Sequence, residues 1–328
     1  MALAYLGSDG FDNGLLRVRQ ADYNGNVAVG STYKHTGAYS LSISWTGAWV
    51  RYAVTGTPAN CSVSVWLNMD ACWNISDGFR VEFDLSTGET IDLRWDGTNH
   101  TFDAYVDDFK VADGTINLPS TGWFHLQFYA VIDNAGSINV KIGGQESIAY
   151  SGDTLPDAAA AEVAYVRFFG TLNLAGLLID NLVWGTGGYL GDCRVEWLAP
   201  NADTAVEEWS LSTGVDSYAL VDEVPPNTTD YLYTDTDAQE TELELADWDD
   251  TDKTPLCVTA WARAYEDAAT AESLRIGVDS GGVDDITEYI MTDNWLYYSH
   301  FMNENPDGPA PWDNAAIDAL KHRIESVI

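Results

Sequence analysis

The chain has 328 residues, of which 51 are Asp or Glu and only 15 are Lys or Arg, giving a formal net charge of −36. Such a surface is repelled by phosphate backbones, which excludes nucleic acid as a partner, and 46% hydrophobic residues with 13 Trp and 17 Tyr exclude a disordered chain. Self-repulsion on this scale is tolerated where salt screens it, because the Debye length falls to about 3 Å near 1 M; the composition fits a halophile-like surface or an acidic secreted or virion protein from an ordinary environment.

The length suits two cores, since single cores stop growing at about 250–300 residues. The opening Met1-Ala-Leu-Ala-Tyr-Leu-Gly7 is too short and uncharged for a secretory signal, and no apolar run reaches the roughly 18 residues of a membrane span, so membrane insertion is not expected. The cysteines Cys61, Cys72, Cys193 and Cys257 form no C-x-x-C pair. They read as small buried hydrophobes, with a Cys61–Cys72 bridge as the alternative.

Alternation with period two then recurs along the first half. It runs through Ser40–Trp45, Ser62–Trp66, Arg80–Asp84, Phe124–Phe128 and Ser137–Ile142, with turn signals at Ser76-Asp-Gly, Ser86-Thr-Gly, Asp96-Gly, Asp133-Asn-Ala-Gly and Gly143-Gly144. Many short strands with no helical pattern before Ala158–Glu162 predict a jelly-roll sandwich. The glycine-rich stretch Gly185-Thr-Gly-Gly188 marks a boundary, with a jelly roll over 1–187 and a smaller β-sandwich over 188–328. The first span carries 20 acids against 9 bases and the second 31 against 6.

In the second span the predicted strands are Cys193–Trp197, Tyr218–Val221, Thr241–Leu245, Cys257–Arg263, Leu274–Val278 and Trp295–Tyr298. A short helix fits Trp312–Leu320 with Asp313 as its cap, and His322–Ile328 reads as a last strand. The fold class is therefore all-β, a concanavalin A-like jelly roll followed by a second, smaller sandwich.

No motif for catalysis is found: there is no Gly-x-Ser-x-Gly, no His-Glu-x-x-His and no phosphate loop, and the five histidines are dispersed. Glu82-Phe-Asp84 supplies two acids of a hydrolase-like strand, but Ser86 and Thr87 stand where a further carboxyl belongs. The pair reads as the solvent face of a strand, and no catalytic residue is assigned. A calcium site is the metal candidate, because first and last strands of one sandwich would bring Asp9, Asp12 and Asp180 together as oxygen ligands. Glycan-stacking candidates are Trp49, Tyr52, Trp73 and Trp95, rings flanked by polar residues in segments resembling strand ends and loops; core packing is the competing role for each. Asn-x-Ser/Thr sequons occur at Asn60, Asn74, Asn99 and Asn227.

The ordered segments Leu190-Gly-Asp-Cys-Arg-Val-Glu-Trp-Leu-Ala-Pro200, Trp209-Ser-Leu-Ser-Thr-Gly214, Val221-Asp-Glu-Val-Pro-Pro226 and Asn305-Pro-Asp-Gly-Pro-Ala-Pro-Trp312 resemble a module of tailed-bacteriophage structural proteins. Cys193 departs from the aliphatic residue usual there. The Ser8-Asp-Gly-Phe-Asp12 start, the Gly122–Tyr129 strand and the Ile179-Asp-Asn-Leu-Val-Trp184 finish resemble a laminin-G or concanavalin A-like jelly roll, more loosely. The resemblance implies a non-enzymatic virion protein of a tailed virus, a spike, fibre or decoration of capsid or tail made in the host cytoplasm. The acidic surface adds a salt-loving host. Its implied partners are other virion proteins, further copies of itself as a symmetric oligomer, and a host surface glycan. A secreted lectin-like module and a polysaccharide depolymerase are the alternatives.

Overall fold

The computed structural model describes residues 4–9, 21–32, 34–36, 39–56, 58–69, 79–155, 160–170, 177–223, 226–248, 252–267, 272–308 and 310–328. These form two compact units, Met1–Glu196 and Trp197–Ile328.

Thirteen strands build the first unit: β1 (Ala4–Asp9), β2 (Ala21–Gly30), β3 (Ser40–Ala53), β4 (Asn60–Asn68), β5 (Arg80–Leu85), β6 (Thr90–Asp96), β7 (Thr101–Val106), β8 (Phe109–Ala112), β9 (Trp123–Val131), β10 (Gly136–Ile142), β11 (Gln145–Gly152), β12 (Val163–Phe169) and β13 (Leu177–Thr186). All pairings are antiparallel, in the order β11-β10-β9-β4-β13-β3-β12-β5-β6-β7-β8, with β1 added to β13 and β2 to β3. The 14-residue β3 is where this sheet folds over. Its Leu41–Ile43 end pairs with β13, whereas its Trp49–Ala53 end pairs with β12. The result is a back layer of β11, β10, β9, β4, β13 and β1 opposite a front layer of β2, β3, β12, β5, β6, β7 and β8.

Alternation decides which side chains meet between the layers. Val81, Phe83, Ile91, Leu93, Val166 and Phe168 point inward from the front, and Val63, Val65, Leu126, Phe128 and Val140 from the back, all buried in one core. Phe83 stacks on Phe128 with ring centroids 4.2 Å apart, and Tyr52 meets Trp184 at 5.0 Å. The jelly-roll expectation is met. Ala160–Glu162 are not helical, and the remainder of that predicted helix lies outside the described residues.

The boundary expected at Gly188 lies further along. Residues 187–196 run without regular structure across the outer face of the back layer, so the expected Cys193–Trp197 strand is absent. Positive φ at Gly187, Gly188 and Gly191 lets this segment turn where a side chain would be strained. Outward groups of the back layer hold it: Asn60 Oδ1 accepts from the Gly187 amide at 2.8 Å, Ser62 donates to the Gly188 carbonyl, Gln127 accepts from the Gly191 amide at 3.0 Å, and Asp192 accepts from the Trp66 indole at 2.9 Å. Leu190 and Cys193 bury themselves against Val183. Cys193 and Cys61 are both buried free thiols; Cys72, the expected alternative partner of Cys61, lies outside the described residues.

The second unit contains β14 (Pro200–Glu207), β15 (Ser210–Leu211), β16 (Leu232–Tyr233), β17 (Glu240–Leu245), β18 (Val258–Ala264), β19 (Ser273–Ser280), β20 (Val283–Ile290), β21 (Leu296–Met302) and β22 (Lys321–Val327). Its main sheet has the order β14-β17-β22-β19-β20, and β18 pairs with β21. Ala262, Tyr298 and Leu296 from that pair close over Leu274, Ile276 and Ile324 of the main sheet. This is a second, smaller sandwich. The expected Tyr218–Val221 strand is instead a short 3₁₀ turn over Tyr218–Leu220, preceded by Ser217 and Tyr218 amides that donate to Asp203 at 2.9 and 2.7 Å. Helix α1 (Asn314–Asp318) is capped as expected, with Asp313 accepting from the Ala316 amide at 2.8 Å. No helix among the described residues is long and apolar enough to cross a membrane.

Candidate functional site

The inward residues of the front layer leave their neighbours on the outer face. On β5 these are Arg80, Glu82 and Asp84; on β6, Asp92 and Arg94; on β12, Tyr165, Arg167 and Phe169; on β3, Trp49 and Arg51. Register aligns them in rows across the strands. One row runs Asp22, Arg51, Arg167, Glu82, Asp92, Tyr105 and Lys110, and the next runs Asn24, Trp49, Phe169, Arg80, Arg94 and Asp103. Four of the chain's ten arginines therefore share one sheet face.

Each of these rows is tied by forked ion pairs. Arg167 Nε donates to Asp84 at 2.8 Å and its Nη2 stands 3.5 Å from Glu82. Arg94 grips Asp92 at 2.6 and 2.9 Å and also reaches Asp108. Arg51 donates to Asp22 at 2.7 Å, and Lys110 bridges Asp103 at 2.7 Å and Asp113. Aromatic rings lie among the guanidinium groups: Arg51 sits over Trp49 and Tyr165 at 5.1 and 4.2 Å, Arg167 over Phe169 at 5.1 Å, and Arg94 over Tyr105 at 4.2 Å.

The expectation that Glu82 and Asp84 form a solvent face is corrected here, because Glu82 is only 4% exposed and Asp84 7%. Burial, contact with the Asp84 carboxyl and the nearby Asp92 push Glu82 up to about 8, against the pull of Arg167. The Oδ1 of Asp84 is buried with no N–H donor in reach. Glu82 stands in hydrogen-bond contact with the Asp84 carboxyl, so a proton held on Glu82 is donated to its neighbour. In this arrangement the pair has no gap for a glycosidic oxygen between its carboxyls, whereas hydrolysis needs about 5 Å or more.

The predicted stacking residues separate. Trp49 lies half-buried on the outer front face beside Phe169. Tyr52 and Trp95 are corrected: alternation turns both inward, Tyr52 against Trp184 and Trp95 against Phe102 in the core, where no sugar can reach them. Trp73 lies outside the described residues. Arg51, Arg167, Arg94, Tyr165 and Phe169 were not singled out from sequence, although the polar-aromatic alternation in Tyr165-Val-Arg-Phe-Phe169 carries that signal.

Of the calcium candidates, β1 does pair with β13, setting Asp9 opposite Leu182. Asp180 is 1% exposed, and its oxygens accept from the amides of His35, Thr36 and Asn181 at 2.9, 3.1 and 2.7 Å. Asp12 and the Asp9 side chain lie outside the described residues. A separate trio in the second unit, Glu242, Asp279 and Asp284, is close enough to converge on one ion. Lys321 and Arg323 already occupy it, Lys321 at 3.3 Å from Glu242 and Arg323 at 2.6 Å from Asp284, which makes it an ion-pair lattice.

No described protein family matches the sequence, and no curated protein matches it. Solved structures with similar folds exist at low identity. The cellulose induced protein Cip1 is 13% identical over 57% of this chain and 98% of its own, with a TM-score of 0.44. A conserved carbohydrate esterase from Shiga toxin-encoding bacteriophage phi24B is 14% identical over 57% of this chain and 100% of its own, at 0.43. Domain 4 of AbnA, an extracellular arabinanase from Geobacillus stearothermophilus solved with arabinotriose, is 19% identical over 58% of this chain and 95% of its own, at 0.41. The neighbours are thus carbohydrate-binding, esterase and lyase proteins, one of them from a phage. At these scores the likeness goes no further than a β-sandwich.

Proposed function

We propose that the first unit binds carbohydrate on the outer face of its front layer without cleaving it, and that the chain serves as an attachment component on the surface of a tailed-virus particle. The observation that carries the binding reading is the set of rings Trp49, Tyr165, Phe169 and Tyr105 interleaved with guanidinium–carboxylate pairs on one sheet face. Rings offer flat apolar surface to a sugar, and the fixed polar groups between them set its orientation. Residues 187–196 cross the outer face of the back layer, which favours the front face as the ligand surface. The contact between Glu82 and Asp84 and the ion pairing of the other acids support the reading without cleavage. The particle assignment and a symmetric oligomeric state rest on the ordered motifs between Leu190 and Trp312.

Titration of the full chain with oligosaccharides tests the first part. Saturable binding weakened at least tenfold in Trp49→Ala and Tyr165→Ala, with no shorter products formed, is expected. Undiminished binding in both variants removes this face as the site, and product release removes the non-catalytic reading. Mass spectrometry of purified particles tests the second part, which fails if the chain is missing from them.

A further inference from the structure

We infer that the glycan taken by the front face is an uncharged chain laid across the strands, and that polyuronate and sulfated chains are rejected. This rests on the carbohydrate reading above and adds its charge class. The face and its rim hold the cations Arg51, Arg80, Arg94, Arg167 and Lys110 against seven acids, Asp22, Glu82, Asp84, Asp92, Asp103, Asp108 and Asp113. Four arginines on one sheet suggest an anion site until their partners are followed. Arg51, Arg94, Arg167 and Lys110 are each engaged by one or two of those carboxylates.

At Arg51, Arg94, Arg167 and Lys110 an incoming carboxylate or sulfate would have to replace an acid already paired with the cation. The acids displaced would include Asp92, which is fully buried, and Asp84, which is 7% exposed, and neither can turn to water. A buried charge stripped of its partner is strongly unfavourable. The net charge of −36 adds repulsion of any polyanion at a distance. Hydroxyl groups meet none of these penalties, because they can donate to the exposed rim carboxylates of Asp22, Asp108 and Asp113 while the ion pairs stay closed. The row from Asp22 to Lys110 crosses seven strands, about 29 Å at the usual strand spacing, which suits a linear oligosaccharide better than a single sugar.

The experiment is calorimetry on the full chain with hexaoses of glucose, xylose, mannose and arabinose, compared with hexagalacturonate and a heparin hexasaccharide, at low and high salt. At least one uncharged hexaose is expected to bind at least tenfold tighter than either anion, changing less than twofold with salt. Anions that bind as well or better overturn the inference while leaving carbohydrate binding standing. Binding of none of the six ends the carbohydrate reading and the inference with it. A triple variant, Asp22→Asn with Asp108→Asn and Asp113→Asn, removes only rim acids, whose side chains are 61%, 80% and 77% exposed. It should gain at least fivefold in hexagalacturonate affinity, and an unchanged value would count against the charge argument.

Discussion

Ser64 and His125 are joined by a 2.8 Å hydrogen bond between the serine hydroxyl and Nε2, and the same hydroxyl donates to the Gly191 carbonyl at 2.7 Å. A hydroxyl has one proton to donate, so His125 must carry its own on Nε2. The serine thus fastens β4, β9 and the crossing segment at one point. Ser64→Ala should cost about 1–3 kcal/mol, leaving a buried imidazole N–H and a carbonyl unpaired. Hydrogen exchange at residues 187–196 should accelerate while exchange in β5 and β6 stays unchanged; equal acceleration throughout would show that the segment is not fastened there. Burial holds His125 below its ordinary value, so its contribution is present above pH 6.5 and declines as pH falls below it. The other charged groups near this contact are His35, Asp192 and Arg194.

Glu82 shows the opposite dependence. Its carboxyl is raised to about 8 in the folded chain against 4.5 unfolded, so the stability it gives is complete below pH 4.5 and is lost as pH climbs through 8. Glu82→Gln keeps a donor toward Asp84 and takes no charge. The variant should match the parent at pH 4.5 and exceed it at pH 9 by on the order of 2 kcal/mol, read as the difference in Tm between the two proteins across that range. A constant difference at every pH would mean that Glu82 and Asp84 do not share a proton.

Gly277 lies on β19 opposite Arg323, in the centre of the second unit's main sheet. A Cβ there would stand 1.9 Å from the Asp285 carbonyl oxygen, which belongs to backbone and cannot swing away. Gly277→Ala should therefore destabilise the second unit by about 1–3 kcal/mol or more, lowering the denaturation midpoint of that unit. The same test at Gly282, where nothing lies within 4 Å but φ is +86°, separates crowding from backbone strain, which should cost less.

Screening should raise stability. With 51 acids against 15 bases, repulsion over the whole surface outweighs individual exposed pairs such as Arg275–Glu288. Tm should climb by several degrees between about 0.05 and 2 M NaCl, over which the Debye length shrinks well below the separation of surface charges. A falling Tm would mean that the ion-pair lattices hold the fold more than net charge strains it.

The strands were legible because alternation is a local signal: Arg80–Asp84 and Ser137–Ile142 each lie inside a strand. Orientation was less legible. Tyr52 and Trp95 looked like exposed rings because their flanking polar residues were visible, whereas the face each ring takes depends on a partner layer far away in sequence. Arg167 and Glu82 are 85 positions apart in the chain and meet through strand register alone, a relation no local window contains. The expected Cys193–Trp197 strand is absent for a similar reason. The alternation of these residues is real, but its buried side packs on Val183 of the preceding sandwich and not in a new sheet.

Strand β1 finds its partner in β13, with Ala4 set opposite Thr186. Bringing such distant stretches together carries a loop-closure cost that local contacts cannot offset in advance. Refolding of the jelly roll should thus be slow, limited by its final edge closing, and an unpaired β13 is the place where one molecule in the meantime can capture another.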